Sequence, residues 1–401
     1  MSDPSLPSEV LDYIIDFLHG KPGALKECCL VSKSWVSRTR KHLFSDIEFL
    51  SVEDLDSWKK TFPNPSNSPA YYTRTLSFRC AQAVTAAGAG VGGLIQSFSR
   101  VVQLDLIPQD IDPLSTFGSL DRTSLVPFHN FSPLKSLRVG SIELPCPQIF
   151  ALVRSFPLLE DLTLFGHDAL LDNDDEPPQA VVPSTTPALT GSLNLLVGGE
   201  MENTARRLLD LPGGLRFRRL MFSWFHKRDL RWIVELVVRC SDTLECLDVR
   251  CSPPCTFILA LCWSYDLPPS VGDSSSTPID ISKAKKLRGL DFWPESLNVG
   301  WITMALQTVT SEHRDLQRIS IYVPQILTLI GVGHSVGRTI EEEIHGQWSE
   351  LDRVLVQSWE SRSIRPKVIY TDQEKEGKER MRDWMGRLLP EMTGRGMIDL
   401  V

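Results

Sequence analysis

The sequence predicts an α/β fold in two parts: a short trio of helices at the start, then an irregular solenoid with parallel strands inside and helices outside. Three observations predict it. The first 44 residues alternate short amphipathic stretches with helix breakers. A six-residue signature of the form L-x-x-L-x-L then returns through the rest of the 401 residues. Between its copies the apolar spacing changes from two to three or four, the switch from strand to helix.

The opening helix is expected to begin near Leu6. Pro7 suits a first turn, where its missing N–H costs nothing, and Glu9 favours the positive end of the helix dipole. Val10, Ile14 and Leu18 recur at four-residue spacing with Leu11 and Ile15 beside them, so one broad face is apolar while Asp12 and Asp16 are expected to point away. Gly20-Lys21-Pro22 stops this helix. Leu25, Cys28, Cys29 and Val31 make a second short stripe. Ser32 is a suitable N-cap for a third helix carrying Trp35, Val36, Thr39 and Leu43. Three helices in so few residues make a marginal core, because a domain that small buries too little of its surface. The trio is therefore expected to complete itself against a partner.

The strand signatures follow in order. They are Leu76 with Phe78; Val101, Leu104 and Leu106; Leu134, Leu137 and Val139; Leu159, Leu162 and Leu164; and Leu193 with Leu195. Phe217, Leu220 and Phe222 come next, then Leu244, Leu247 and Val249, then Leu287, Leu290 and Phe292, and finally Leu316, Ile319 and Ile321. The steps between their middle positions are 28, 33, 25, 31, 27, 27, 43 and 29 residues, slightly longer than a leucine-rich repeat. Helical stripes lie between them: Ile149, Leu152, Val153 and Phe156; Leu230, Ile233, Val234, Val237 and Val238; Ile302, Leu306 and Val309. A strand with a returning helix, repeated about nine times, builds a parallel sheet with helices on one side. The competing architecture is an ordinary α/β domain with a parallel sheet.

These signals divide the chain into residues 1–46, the helical trio; 47–70, a hinge rich in Pro, Asn and Ser; 71–372, the repeats; and 373–401, a charged helix or tail. Loops are expected near 172–187, where Asp172 to Pro178 cannot pack apolar surface, and near 265–282, which accounts for the 43-residue step.

Composition narrows the function. The net charge of −8, from 42 Lys and Arg against 50 Asp and Glu spread along the chain, argues against nucleic acid as a partner. No apolar run approaches the ~18 residues that span a bilayer, so no membrane partner is expected. The start carries no signal-peptide pattern, and nine cysteines without secretory context read as free thiols of the cytosol or nucleus.

Three motifs suggest chemistry. Gly333-His334-Ser335-Val336-Gly337 follows an apolar run as a nucleophile elbow does, which would make Ser335 the nucleophile of a hydrolase. Its only later histidine, His345, lies ten residues on along the same expected helix, and no H-G-G-G precedes it. Gly88 to Gly93 fits G-x-G-x-x-G but stands ten residues past its strand, as a turn of small residues does. Cys240, Cys246, Cys251, Cys255 and Cys262 lack paired C-x-x-C spacing, so they read as small buried hydrophobes rather than zinc ligands. The expectation is no catalytic residue, no cofactor and no metal.

In each strand the residue between the two apolar positions, and its outer neighbours, face away from the core. Among these, Asp248, Arg250, Asp291, Trp293, Arg318 and Tyr322 gather arginine and aromatic side chains toward the C-terminal strands. Such residues anchor protein interfaces, so this patch is the candidate for capture of a target protein.

From Ser5 to Phe44, about a tenth of the chain, the sequence resembles an F-box. Leu6, Pro7, Glu9, Val10 and Ile14 stand at that family's opening L-P-x-E-I/V and the apolar positions after it. Val31, Ser32, Lys33 and Trp35 stand at its closing V-C/S-K/R-x-W. The resemblance implies docking onto the Skp adaptor, and through it a cullin, by Leu6, Pro7, Val10, Ile14, Leu18, Leu25, Val31, Ser32 and Trp35. The rest resembles the degenerate leucine-rich repeats behind F-boxes, notably in mushroom-forming fungi, with Trp348 to Tyr370 as a terminal unit. It implies the substrate-recognition subunit of a Skp–cullin–F-box ubiquitin ligase, non-catalytic itself, binding an unknown protein substrate. A repeat scaffold without a ligase role is the alternative, and a hydrolase through Ser335 a further one.

Overall fold

The computed structural model describes residues 7–89, 93–107, 125–140, 146–166, 188–197, 201–223, 229–251, 279–294, 299–323, 338–362, 364, 366–370 and 375–400. Leu6, the loops expected at 172–187 and over most of 265–282, and the Ser335 motif lie outside them. The chain forms two compact units, Met1–Val182 and Pro183–Val401.

The first unit opens with α1 (Ser8–Phe17), α2 (Pro22–Val31) and α3 (Lys33–Leu43). The breakers act as expected: Gly20 takes a left-handed φ of 83°, which a side chain would resist, and Pro22 begins α2. Pro7 sits at the N-cap, one residue outside α1. Ser32 caps α3, its hydroxyl accepting from the Ser34 N–H at 3.3 Å. Ile15, Leu25 and Cys28 form the small core of the trio, and α3 packs on the turn at Pro69–Tyr72.

Asp16 departs from expectation. It faces α3, where its carboxylate accepts from Arg38 Nε at 2.7 Å, from a second Arg38 nitrogen, and from His42 Nε2 at 2.6 Å. Asp12 reaches the same guanidinium at 3.9 Å. The pattern of apolar residues assigned Asp16 to solvent, but a charge can lie against a neighbouring helix once it meets its counter-ion there. The hydrogen bonds from Arg38 and His42 hold the Asp16 carboxyl well below the usual carboxylate range. The folded trio therefore resists protonation more than the unfolded chain does. Its stabilising effect is complete above the ordinary carboxylate pKa and is lost as pH falls below it, down through the lowered value of the folded state. Asp16→Asn is expected to remove this pH dependence at a cost of about 1 kcal/mol or less, since the pair is partly exposed. Amide hydrogen exchange of α1 between acid and neutral pH checks it.

Five parallel strands follow in sequence order in this unit: β1 (Asp46–Phe49), β2 (Thr75–Phe78), β3 (Gln103–Leu106), β4 (Ser136–Gly140) and β5 (Asp161–Gly166). The signature residues Leu76, Phe78, Leu104, Leu106, Leu137, Val139, Leu162 and Leu164 all point into the core, as two-residue alternation requires. Returning helices are α4 (Val52–Thr61), α5 (Ala81–Ala89), α6 (Gly93–Ser97) and α7 (Cys146–Arg154). Of these, Ala81–Ala89 is a helix of small residues, with Ala81, Ala83, Val84 and Ala87 buried against the sheet.

The expected hinge at 47–70 is instead part of the sheet unit. Asp46–Phe49 pairs in register with Thr75–Phe78. Ser51 and Asp54 form a reciprocal capping box that starts α4. Phe49 lies 5.4 Å from Phe78, 6.0 Å from Trp58 and 6.4 Å from Phe98, ring centre to ring centre, so this segment is locked by aromatic packing.

The second unit carries seven parallel strands in sequence order: β6 (Leu189–Val197), β7 (Leu215–Ser223), β8 (Cys246–Arg250), β9 (Gly289–Trp293), β10 (Arg318–Val323), β11 (Lys367–Tyr370) and β12 (Ile398–Leu400). Its helices are α8 (Glu202–Leu209), α9 (Leu230–Cys240), α10 (Gly300–Gln307), α11 (Arg338–Arg362), α12 (Lys375–Leu388) and α13 (Pro390–Gly394). Neighbouring parallel strands need a crossover between them, and these helices supply it for each pair except β8 and β9, whose connection lies largely outside the described residues. The expected tail at 373–401 is a further strand-and-helix unit, because β12 pairs with β11.

The long α11 caps two neighbours through side chains. Gln347 Oε1 accepts from the N–H groups of Val299 and Gly300 at the start of α10. Asp352, 2 % exposed, accepts from the Glu391 and Met392 N–H groups of α13 at 2.8 and 3.0 Å. Asp352→Leu leaves two buried donors unpaired and is expected to destabilise this unit by about 2 kcal/mol or more, while Asp352→Asn costs less. Urea unfolding of the two variants measures the difference.

Candidate functional site

The outer face of β7–β10 brings together all six residues proposed for target capture. Asp248 and Asp291 stand side by side in register on β8 and β9. Arg250, two residues along β8 from Asp248 and on the same face, grips it with Nε at 3.0 Å and Nη2 at 2.6 Å. Arg318 is in register with Gly289 and reaches diagonally to Asp291, Nη2 to Oδ2 at 2.6 Å. That reach needs the glycine: a Cβ at Gly289 would sit 3.3 Å from Arg318 Nη2 and crowd it. The result is a row in which two adjacent aspartates are each held by an arginine: Arg250, Asp248, Asp291, Arg318. Burial raises the Asp248 carboxyl above its ordinary value, partly offset by the Arg250 hydrogen bonds, whereas both arginines are held more firmly protonated by their partners.

Beside this row stands an aromatic column. Trp293 and Tyr322 stack face to face with ring centres 3.9 Å apart and planes 2° from parallel. The Arg250 guanidinium lies 4.9 Å from the Trp293 ring centre. Three covered polar atoms in this cluster have no hydrogen-bond partner among the described residues: Asp291 Oδ1, the Trp293 indole N–H and Ser320 Oγ. Leaving such groups unpaired costs about 1–3 kcal/mol each, so a ligand that supplies their partners gains that much here.

Sequence reasoning missed Arg219 and Gly289 here. Arg219, Cys246, Gly289 and Arg318 form one row across the same face. The available signal was the position just before the middle apolar residue of each signature, which shares the outer face by strand alternation.

The second surface is on α1 and α2. Val10 and Ile14 are exposed, Tyr13 and Phe17 are 73 % exposed, and Leu30 is 88 % exposed, followed by an exposed Val31. Of the residues implied for adaptor docking, Pro7, Val10, Ile14 and Val31 are at the surface, and Leu18, Ser32 and Trp35 are half-buried. Leu25 is not available for contact: at 2 % exposure it belongs to the core of the trio, where α2 packs on α3. Leu6 lies outside the described residues.

Other motifs stay apart. Cys240 is buried under β7 and its thiol is pushed up to about 11 by burial, the behaviour of an inert small hydrophobe. Cys255, Cys262 and Ser335 lie outside the described residues. Among the described residues no group of His, Cys, Asp and Glu has the arrangement of a metal site, and no helix is long and apolar enough to cross a membrane. No protein-family model and no curated protein matches this chain.

Proposed function

We propose that this protein is a substrate-recognition subunit of a Skp–cullin–F-box type ubiquitin ligase. In this reading α1–α3 form the F-box that docks the Skp adaptor, and the strand-and-helix units are degenerate leucine-rich repeats that hold a target protein. The observation that carries it is the trio itself: its sequence resembles an F-box, and it leaves Val10, Tyr13, Ile14, Phe17, Leu30 and Val31 exposed although its own core is small. Isolated exposed side chains are ordinary, but clustered ones on a marginal bundle are what a partner chain covers. The protein performs no chemistry in this reading. It works by proximity in the cytosol or nucleus, holding a target near a ubiquitin-charged enzyme so that transfer becomes effectively intramolecular.

The test is co-purification of the full chain with a Skp adaptor and cullin. Stoichiometric capture is the expected result, and a chain that elutes alone at micromolar concentration with its native circular dichroism removes the ligase role. That outcome favours the neighbouring reading, a protein-binding repeat scaffold, which rests on the outer-face cluster alone.

A further inference from the structure

We infer that the outer face of β7–β10 takes an extended peptide segment bearing an acidic side chain. This deepens the reading above by giving the chemistry of the captured target, and it rests on that reading only for the word target.

The unpaired groups set the ligand class. Asp291 Oδ1 needs a donor, the Trp293 N–H needs an acceptor, and Ser320 Oγ takes either. Asp291 is 9 % exposed and Ser320 1 % exposed, so neither is simply hydrated surface. Asp291 and Trp293 stand two residues apart on one strand, a separation of about 6.6 Å. An extended peptide lying along β9 presents its own N–H and C=O groups at that same repeat. A ligand lacking both donors and acceptors leaves part of this set unpaired.

Charge sets the side chain. Across these strands Arg219, Arg250 and Arg318 face Asp248 and Asp291, an excess of positive charge on a chain whose net charge is −8. Both aspartates are already engaged by Arg250 and Arg318. Arg219 is exposed and has no acidic partner among the described residues. The side chains of Arg250 and Arg318 are themselves partly exposed, and exposed side chains change rotamer without backbone movement, so the covered atoms beneath are reachable. An acidic side chain meeting Arg219 and the free edge of Arg318 completes the row with charge-assisted bonds.

The test uses the full chain without any adaptor. A displayed random-peptide library is selected on it, and the enriched peptides are titrated by fluorescence anisotropy against the wild type, Trp293→Phe, Ser320→Ala and Arg219→Gln. Enriched peptides are expected to carry Asp or Glu, and each substitution to weaken them about tenfold, the size of one lost bond in a desolvated site. Trp293→Phe and Ser320→Ala are expected to leave the unfolding midpoint unchanged or higher, because each removes an unsatisfied polar atom. Selection of basic or purely apolar peptides, no enrichment at all, wild-type affinity in the three variants, or displacement by polyuridylate in place of peptide overturns the inference. Adaptor capture is measured separately on α1 and α2, so either result can fail without the other.

Discussion

Phe17→Asp combined with Leu30→Asp is expected to abolish adaptor capture while leaving the fold intact. Both side chains are largely in water already, so the folded chain loses little when they become charged. A partner that covers them must instead bury two carboxylates against an apolar surface. Each apolar anchor at the centre of an interface is worth about 2 kcal/mol, so the pair lowers affinity on the order of 1,000-fold. Titration calorimetry with purified Skp adaptor reads the loss, and circular dichroism reads the retained helices. Undiminished affinity in the double variant sinks docking through α1 and α2. The contrasting substitution is Leu25→Ala, which opens a cavity inside the trio and acts on stability first.

The second large effect is in the aromatic core. Phe49→Ala is expected to cost about 3–5 kcal/mol, since the ring is 2 % exposed and meets Trp58, Phe78 and Phe98. Denaturant unfolding of the full chain measures it. A true hinge at this position tolerates the same change within about 0.5 kcal/mol, so the experiment separates a first sheet strand from a linker. The effect also bears on function, because α3 packs on the turn at Pro69–Tyr72 that this core supports. Loss of the core is expected to loosen α3 as well, read as faster amide exchange at Thr39 and its neighbours.

Much of the fold was legible because burial imposes a period. The last two apolar positions of every proposed signature lie on an observed strand, and the stripes at Ile149 to Phe156, Leu230 to Val238 and Ile302 to Val309 lie on or just beyond observed helices. The ends were not legible. Asp46–Phe49 and Ile398–Leu400 are short strands that carry only the last two apolar positions of the signature, Ile47 with Phe49 and Ile398 with Leu400, and the sequence reading passed over both. They are strands because a neighbouring strand offers them hydrogen bonds. The Ser51–Asp54 capping box was a readable signal for α4 that the Pro- and Ser-rich stretch after it obscured.

The candidate site divides the same way. Alternation alone assigned Asp248, Arg250, Asp291, Trp293, Arg318 and Tyr322 to one face. It did not reveal that Arg318 reaches Asp291 across Gly289, that Trp293 lies parallel to Tyr322, or that three polar atoms there stay unpaired. Asp16 shows the converse, a residue assigned to solvent that Arg38 and His42 turned inward.

By itself the sequence determined the periodicities: which residues turn toward the core, where helices start and stop, and that the opening trio is too small to finish its own surface. Those are local consequences of backbone geometry and of apolar side chains leaving water. Only the tertiary structure decided which charges meet, which stretch is strand rather than hinge, and which polar groups remain unsatisfied. Pairing depends on atoms 20 to 30 residues apart coming within 3 Å, as Arg318 and Asp291 do at a separation of 27, and no local pattern encodes that distance.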